Sequence, residues 1–203
     1  MSIMSNPDPD LNRLKEAIGS GDPSRSMPAL AGLRQVPAEL AIPLLLLGLE
    51  QGEFMVRSLS CAGLGVKQSE QGWQALVGAL QSDDDANVRA EAANSLVSHS
   101  VERAWPLVRD AFAADGQWLV RCSILAALAE QSEIEAAWLM ELAGMAIADG
   151  DGTVRVGGAE ILGRLVADGV DPALTDQARA ALQQLQGDSD HRVVAAALNG
   201  LQA

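Results

Sequence analysis

Four segments repeat one pattern and decide the fold: FMVRSLSCAGLG (residues 54–65), ANVRAEAANSLV (86–97), WLVRCSILAALA (118–129) and GTVRVGGAEILG (152–163). Each contains Val-Arg, followed by small or apolar residues four, five and eight positions after the Val. These spacings place the residues on one side of a helix. The valines stand at positions 56, 88, 120 and 154, so the period is 32 to 34 residues, which indicates stacked structural repeats.

Weaker copies extend the pattern at both ends. HRVVAAALNGLQ begins at His191 and has Val193 in the valine position, and a degenerate copy lies between Asp22 and Leu33. Because a second helical stretch lies between successive copies, the repeating unit is a helix pair that occurs about six times. We predict an all-α fold, an α-α superhelix, in a single domain over residues 1–203. The predicted repeats are residues 8–34, 37–67, 70–98, 101–131, 133–167 and 171–203.

Acidic residues precede three of the repeated arginines by six positions. The pairs are Asp83 with Arg89, Asp115 with Arg121, and Asp149 with Arg155. An acid in the turn between helices can bond the arginine of the following helix, so stacked turns would form a charge-assisted ladder. Asp188 holds the same place before Val194, which leaves this acid without an arginine, and Gln51 replaces the acid before Arg57.

The Asp-x5-Arg spacing, the Val-Arg pair and a proline in the first helix (Pro43, Pro106) make the sequence resemble the HEAT-repeat family over nearly its whole length. In repeat length and Ala-rich helices it is most similar to the HEAT-like bilin lyases and related phycobilisome proteins of cyanobacteria. The resemblance implies a HEAT-like solenoid. It also implies chemistry on linear tetrapyrroles, which such lyases attach to cysteines of phycobiliproteins, some as pairs of HEAT-like subunits.

Composition and charge restrict the classes of partner. Aromatic residues total 3% and Tyr is absent, which favours helices over a sandwich or barrel. With 14 basic and 27 acidic residues the net charge is −13, and no basic patch occurs, so nucleic acid and anionic membranes are poor partners. Two cysteines give no disulfide framework, and MSIMSNPDPDLNRL lacks the pattern of a signal peptide. We expect a soluble cytoplasmic protein.

No catalytic or metal-binding set is visible in the sequence. His99 and His191 are the only histidines, and neither belongs to a pair with metal-ligand spacing. Neither has an evident orienting partner for nucleophilic catalysis. His99 is followed by Ser and His191 by Arg, so the His-Cys pair of the isomerising bilin lyases is missing. We therefore expect no metal and no catalytic residues, although an enzymatic role as a bilin lyase subunit stays open.

The outward side of the second helices is the candidate binding surface. In HEAT-like solenoids these helices line the concave face, and here that side has mostly small residues. Tight curvature and a binding groove explain small residues equally well. The candidate groove residues are Glu91, Trp118, Arg121, Cys122 and Glu160. Cys61 lies instead in a core position, so Cys122 should be the accessible thiol.

Two functions follow from these observations. The first is a non-catalytic scaffold that binds another protein, such as an assembly or turnover factor, without a cofactor. The second, implied by the resemblance, is a bilin lyase subunit that binds a linear tetrapyrrole, with a related HEAT-like subunit or a phycobiliprotein as partner. In that case Trp118, Cys122, Arg121 and Glu91 would contact the bilin, the Arg at its propionates and the Glu at its pyrrole nitrogens.

The helix that begins at His191 is apolar on more than one face. Val194, Leu198 and Leu201 add apolar side chains to those expected in the core. Because a helix with apolar residues on several faces is usually buried on several sides, we predict that these three residues dock against a second chain, either a copy of this one or a related HEAT-like subunit. The alternative is an exposed apolar patch without a binding role.

Overall fold

Helices account for the regular structure of residues 10–202, the part of the chain that this computed structural model describes. Within that range there are twelve α-helices and one 3-10 helix, Leu33–Gln35, and no strand. The α-helices are α1 Leu11–Ile18, α2 Pro23–Gly32, α3 Ala38–Leu49, α4 Phe54–Val66, α5 Glu70–Ser82, α6 Ala86–His99, α7 Val101–Ala114, α8 Trp118–Ala129, α9 Ala136–Ile147, α10 Gly152–Asp168, α11 Pro172–Leu185 and α12 His191–Leu201. The predicted all-α fold class is confirmed. The absence of a signal peptide was inferred from residues 1–14, of which residues 1–9 lie outside the described range. The first predicted repeat, residues 8–34, also begins outside that range.

The helices alternate between first and second members of a pair. Second helices contact second helices (α2 with α4, α8 with α10, α10 with α12), and first helices contact first helices (α1 with α3, α7 with α9, α9 with α11). The contacts divide the chain into two compact units, Met1–Ser95 and Leu96–Ala203, with the boundary inside α6. The single domain and the repeat boundaries read from the sequence stay predictions. None of the helices in residues 10–202 has the length and apolar character needed to cross a membrane.

The repeated valine is the centre of each second helix's buried face. Val56, Val88, Val120, Val154 and Val193 are each at most 1% exposed. The residues four, five and eight positions later are also buried in the first four copies, for example Ile124, Leu125 and Leu128 in α8. The fifth copy departs from this pattern, because Leu198 is 44% exposed. The phase read from the sequence therefore holds for α4, α6, α8 and α10 and only partly for α12.

Small residues let successive second helices approach closely. A Cβ on Gly163 of α10 would lie 2.9 Å from the Cα of Gly200 in α12. In the first unit, a Cβ on Gly65 of α4 would lie 2.7 Å from Oγ of Ser95 in α6, and that hydroxyl donates to the Cys61 carbonyl at 3.0 Å. Both glycines are nine residues after the repeated valine, so the same helix position requires the absence of a side chain in both units.

The first helices of the second unit pack through tryptophans. Trp105 of α7 and Trp138 of α9 stack with ring centroids 5.3 Å apart and planes 8° from parallel. Trp105 is only 7% exposed, and Trp73 of α5 in the first unit is 4% exposed. These side chains contribute to packing between helices, as their recurrence at similar helical phase indicates.

The arginines of the second helices connect one turn to the next, which we call the ladder. Nη1 of Arg121 donates to the Asp115 carbonyl in its own turn at 2.7 Å. Its Nε and Nη2 donate to both carboxylate oxygens of Asp149, in the next turn, at 2.6 and 2.9 Å. The Asp149 carboxylate also accepts from the Asp151 amide at 2.8 Å, just before α10 begins. Each arginine thus joins two turns while the acid orders the start of a helix.

The same arrangement recurs in both units. Nη1 of Arg155 donates to the Asp149 carbonyl at 3.0 Å, and its Nε and Nη2 donate to Asp188 at 2.8 and 2.9 Å. In the first unit Arg57 makes the bidentate contact with Asp83, at 2.8 and 2.9 Å, and Nη1 of Arg89 donates to the Asp83 carbonyl at 2.9 Å. Planar guanidinium groups suit such bidentate pairing, which is stronger and more directional than a single neutral hydrogen bond.

These contacts correct the predicted ladder in three respects. Arg121 and Arg155 bond the backbone carbonyl of the aspartate six residues upstream, whereas their carboxylate partner is the aspartate of the following turn. Arg57 also belongs to the ladder, although Gln51 stands six residues before it. Asp188, which we expected to lack an arginine, accepts from Arg155. The reason is that each turn presents carbonyls to its own helix and its carboxylate to the preceding repeat.

The ladder should contribute strongly to stability. The side chains of Arg121 and Asp149 are 14% and 11% exposed, so Arg121→Ala leaves a largely buried carboxylate without its cation. We expect a loss of ~3 kcal/mol in the free energy of unfolding. Arg13→Ala, which removes an exposed arginine of α1, should have little effect. Thermal unfolding followed by circular dichroism measures both, and equal melting temperatures for the two variants would contradict a structural ladder.

Candidate functional site

A groove of about 390 Å³ lies between α8 and α10 in the second unit, and we call it the α8–α10 groove. Its lining is mainly apolar and includes four polar side chains. The lining residues are Cys122, Leu125, Ala126, Ala129, Thr153, Val156, Gly157, Glu160, Ile161 and Arg164. A shape of this kind, apolar with a few polar groups, suits the side chains of a bound ligand or partner.

Small residues line the groove on both helices. In α8, Ala126 is exposed and Ala129 is half-buried, and both line the groove together with Gly157 of α10. A Cβ on Gly157 would lie 2.9 Å from Cδ1 of Leu125, so packing of α10 against α8 itself favours glycine there. The two explanations for small residues, tight packing and a groove, therefore apply to different residues of the same surface.

Glu160 and Arg164 are the charged residues of the groove, and they differ in whether their charge is already paired within the chain. Nη1 and Nη2 of Arg164 donate to the carbonyls of Ala129 and Gln131, at 2.6 and 2.8 Å, and Nε pairs with Asp168 at 3.2 Å. Arg164 is thus held against the end of α8 with its charge compensated. Glu160 is exposed and has no ion pair or hydrogen bond with any residue in the range 10–202. The charge that the groove offers to a partner is therefore negative.

Cys122 is the thiol of the groove. Burial raises its pKa, and the charge of Asp151 raises it further. A raised pKa keeps the thiol protonated at neutral pH and lowers its nucleophilicity. No histidine lines the groove, and no group of three or more His, Cys, Asp or Glu side chains in residues 10–202 is placed to hold a metal ion. The groove therefore offers a ligand an apolar surface and one carboxylate, and its lining contains no acid–base pair.

The structure brings together only some of the predicted groove residues. Cys122 and Glu160 line the α8–α10 groove, as their positions on successive second helices suggested. Arg121 does not, because its guanidinium is bound in the ladder. Trp118 is 47% exposed at the start of α8 but lies outside the groove lining, and Glu91 belongs to the first unit.

Arg164 is the groove residue that sequence reasoning missed. Lys67, at the end of α4, makes a comparable contact in the first unit, where its Nζ donates to the carbonyls of Arg34 and Val36 at 3.0 and 2.6 Å. Arg164 and Lys67 follow their repeated valines by ten and eleven residues. A cation near the end of a second helix can satisfy the last carbonyls of the preceding one, and this spacing was the available signal.

Comparison with known proteins agrees with this geometry. The family of HEAT repeats matches residues 42–129, which include α4, α6 and most of the ladder in the first unit. Residues 42–129 are thus similar to HEAT repeats, and the fold of the chain is HEAT-like. No curated protein is significantly similar to it.

Two solved structures are similar in fold. Human deoxyhypusine hydroxylase in complex with glycerol has 14% sequence identity and a TM-score of 0.51, with 95% of this chain and 96% of that chain covered. A chain in the complex of CpcE and CpcF of phycocyanin lyase from Nostoc sp. PCC7120 has 18% identity and a TM-score of 0.41, with 95% and 98% covered. At such identities the likeness to the hydroxylase concerns the HEAT-like fold alone.

In the last helix, α12, the three predicted docking residues differ from one another in exposure. Leu198 is exposed, whereas Val194 and Leu201 are half-buried. Val193 and Ala197 of the same helix are fully buried within the second unit. The apolar surface at this end is therefore smaller than the sequence suggested, and docking of a second chain there stays a prediction.

The two free cysteines should differ in reactivity. Cys61 is fully buried, and burial raises its pKa to about 12, whereas Cys122 is half-buried in the α8–α10 groove. We expect a maleimide to modify Cys122 first in the native protein. Because the pKa of Cys122 is also raised, its rate should keep increasing as the pH rises above neutrality. Mass spectrometry of the labelled peptides measures both rates, and faster labelling of Cys61 would contradict the helical phase.

Glu91 should lower stability at neutral pH. Burial raises the pKa of this half-buried carboxyl. A carboxyl with a raised pKa in the folded state favours its protonated form, so its ionised form costs stability above that pKa, and the cost disappears at low pH. Glu91→Gln should raise the melting temperature at about pH 7 but not at about pH 3.5, below the unfolded-state pKa. Glu133→Gln, at an exposed position, is the control and should show no such difference.

Proposed function

We propose that this protein is a non-catalytic scaffold that binds another protein, and that the α8–α10 groove accepts a segment of that partner. The groove itself is the observation that carries this proposal. It combines an apolar floor with a single uncompensated carboxylate, Glu160, and contains no residues arranged for proton transfer. A HEAT-like repeat architecture is suited to such a role because neighbouring helices present extended surfaces.

The partner segment should be apolar with a basic residue beside the apolar part. Apolar side chains would cover Leu125, Val156 and Ile161, while a lysine or arginine would pair with Glu160. The chain has a net charge of −13, which attracts basic partners and disfavours acidic ones during encounter. The proposal places the protein in the cytoplasm, where its two cysteines would stay reduced.

A linear tetrapyrrole is the second candidate occupant. It is favoured by the meeting of a thiol and a carboxylate in one groove, at Cys122 and Glu160. The details differ from the expectation for a bilin lyase subunit, since Arg121 is bound in the ladder and could not contact propionates without leaving Asp149. Absorbance titration with phycocyanobilin tests this candidate, with and without a phycobiliprotein. No spectral change in either case would eliminate it.

The scaffold proposal can be tested with a photocrosslinking amino acid at position 126. Ala126 is exposed within the groove, so substitution there should leave the fold intact, and Ala180 is another exposed alanine, on α11, for comparison. Crosslinking in native cells, followed by mass spectrometry, should identify apolar peptides containing Lys or Arg from position 126 only.

The charge requirement is tested in the same experiment. Glu160→Lys reverses the uncompensated charge and should reduce the crosslinked product at least tenfold, whereas Glu133→Lys, an exposed site away from the groove, should not. Equal products at positions 126 and 180, or a product that is insensitive to Glu160→Lys, would contradict protein binding in this groove.

A further inference from the structure

The ladder has a fixed register, and its first position is substituted. The arginine is the fourth residue of α4, α6, α8 and α10, and the acid is the third residue before α6, α8, α10 and α12. By the same count, Ser26 is the fourth residue of α2 and Gln51 is the third residue before α4. The first pair of the series is therefore Ser26 and Gln51, where every later pair has an arginine opposite an acid.

Both substituted residues turn back onto their own helices. The Ser26 hydroxyl, 1% exposed, donates to the Asp22 carbonyl at 3.0 Å. Nε2 of Gln51 donates to the Leu47 carbonyl at 2.9 Å, which leaves its Oε1 as an acceptor. Neither side chain crosses from one repeat to the next as Arg57, Arg121 and Arg155 do.

A cavity of about 180 Å³ occupies this position in the first unit. Its lining residues are Gly21, Ser26, Gln51, Gly52, Glu53 and Val56. Gly21 stands five residues before Ser26, which occupies the position of the ladder arginine. In the later turns the carbonyl at the position of Gly21 accepts a hydrogen bond from that arginine: Gly52 from Arg57, Asp84 from Arg89 and Gly150 from Arg155. The cavity therefore lies at the position where, in the later turns, the guanidinium of the ladder arginine is bound.

We propose that this cavity binds the guanidinium group of an arginine from a partner protein, which completes the ladder from outside. The Gln51 side-chain oxygen would accept from the guanidinium in place of the usual aspartate, and the Glu53 carboxylate would supply the negative charge. The neighbouring cation, Arg57, is compensated, since it pairs with Asp83 at 2.8 Å and Asp84 at 2.7 Å. This site lies in the first unit and does not depend on binding in the α8–α10 groove.

Methylguanidinium is the simplest probe, and methylammonium is its control of equal charge. Both are titrated into isotope-labelled full-length protein at constant ionic strength, well below denaturing concentrations. We expect saturable shifts of the Gly21 and Gly52 amide resonances with methylguanidinium and much smaller ones with methylammonium, which lacks the planar set of donors. Equal responses to the two cations would overturn the proposal.

Gln51→Asp is the decisive variant because it restores the acid of the ladder. It should lower the dissociation constant for methylguanidinium about tenfold, as expected for a new bidentate charged contact. Gln131→Asp is the matched control, since Gln131 also donates from Nε2 to the carbonyl four residues earlier but lies outside the ladder, and it should change nothing. An unchanged affinity in Gln51→Asp would overturn the proposal.

Two further measurements separate a partner's arginine from a small guanidinium compound. N-acetyl-arginine methylamide, in which both backbone ends are capped, should bind as well as methylguanidinium. Binding of free arginine without binding of the capped form would overturn the assignment to a protein partner. In the double variant Ser26→Arg with Gln51→Asp, the chain supplies its own arginine, and the response to methylguanidinium should be lost. If this variant folds and still binds the probe, the cavity is not a ladder position.

Discussion

The contact on which the rest of the structure depends is the arginine that joins two consecutive turns. Its guanidinium has five donors in one plane, so it can bond the carbonyls of its own turn and both oxygens of the next carboxylate at once. In the second unit this happens at Arg121 and again at Arg155. The acid in turn accepts from the amide that precedes the next second helix, at Asp151 and Asp190. Helix start, turn and neighbouring repeat are thus fixed by the same few atoms.

The ladder also explains why this acidic chain tolerates acids in its turns. The bidentate contact from Arg155 and the Asp190 amide hold the pKa of Asp188 below its ordinary value. For Asp83, burial alone would raise the pKa, but the hydrogen bonds from Arg57 and from the Asp85 amide lower it overall. Carboxyls with lowered pKa values stabilise the folded state above the unfolded-state pKa and lose this contribution as the pH falls. The ladder therefore supports the fold at neutral pH and weakens in acid.

The sequence predicted the helices and their buried face well because one side chain repeats at fixed phase. Val56, Val120 and Val154 are all in the core, and the helix pairs follow from that periodicity. It predicted that Arg121, Arg155, Asp115 and Asp149 of the second unit belong to the ladder, but it missed Asp188 and did not predict which oxygen each arginine bonds. Spacing along the chain cannot distinguish a backbone carbonyl from a carboxylate of the same residue. For the same reason Arg57 was missed, since its carboxylate partner lies 26 residues ahead of it, in the next repeat.

The groove was only partly predictable, because its lining depends on contacts that no single helix determines. Cys122 and Glu160 were found from their position on the outward side of second helices, but Arg121, adjacent in sequence, is taken by the ladder. A Cβ on Gly157 would lie 2.9 Å from Cδ1 of Leu125, so its small size suits packing and is by itself no evidence of binding. Ala126 has no such constraint, since it is exposed. The open part of the groove is therefore the segment of α8 that carries Ala126 and Ala129, together with Glu160 of α10, and binding in this groove would act through those residues.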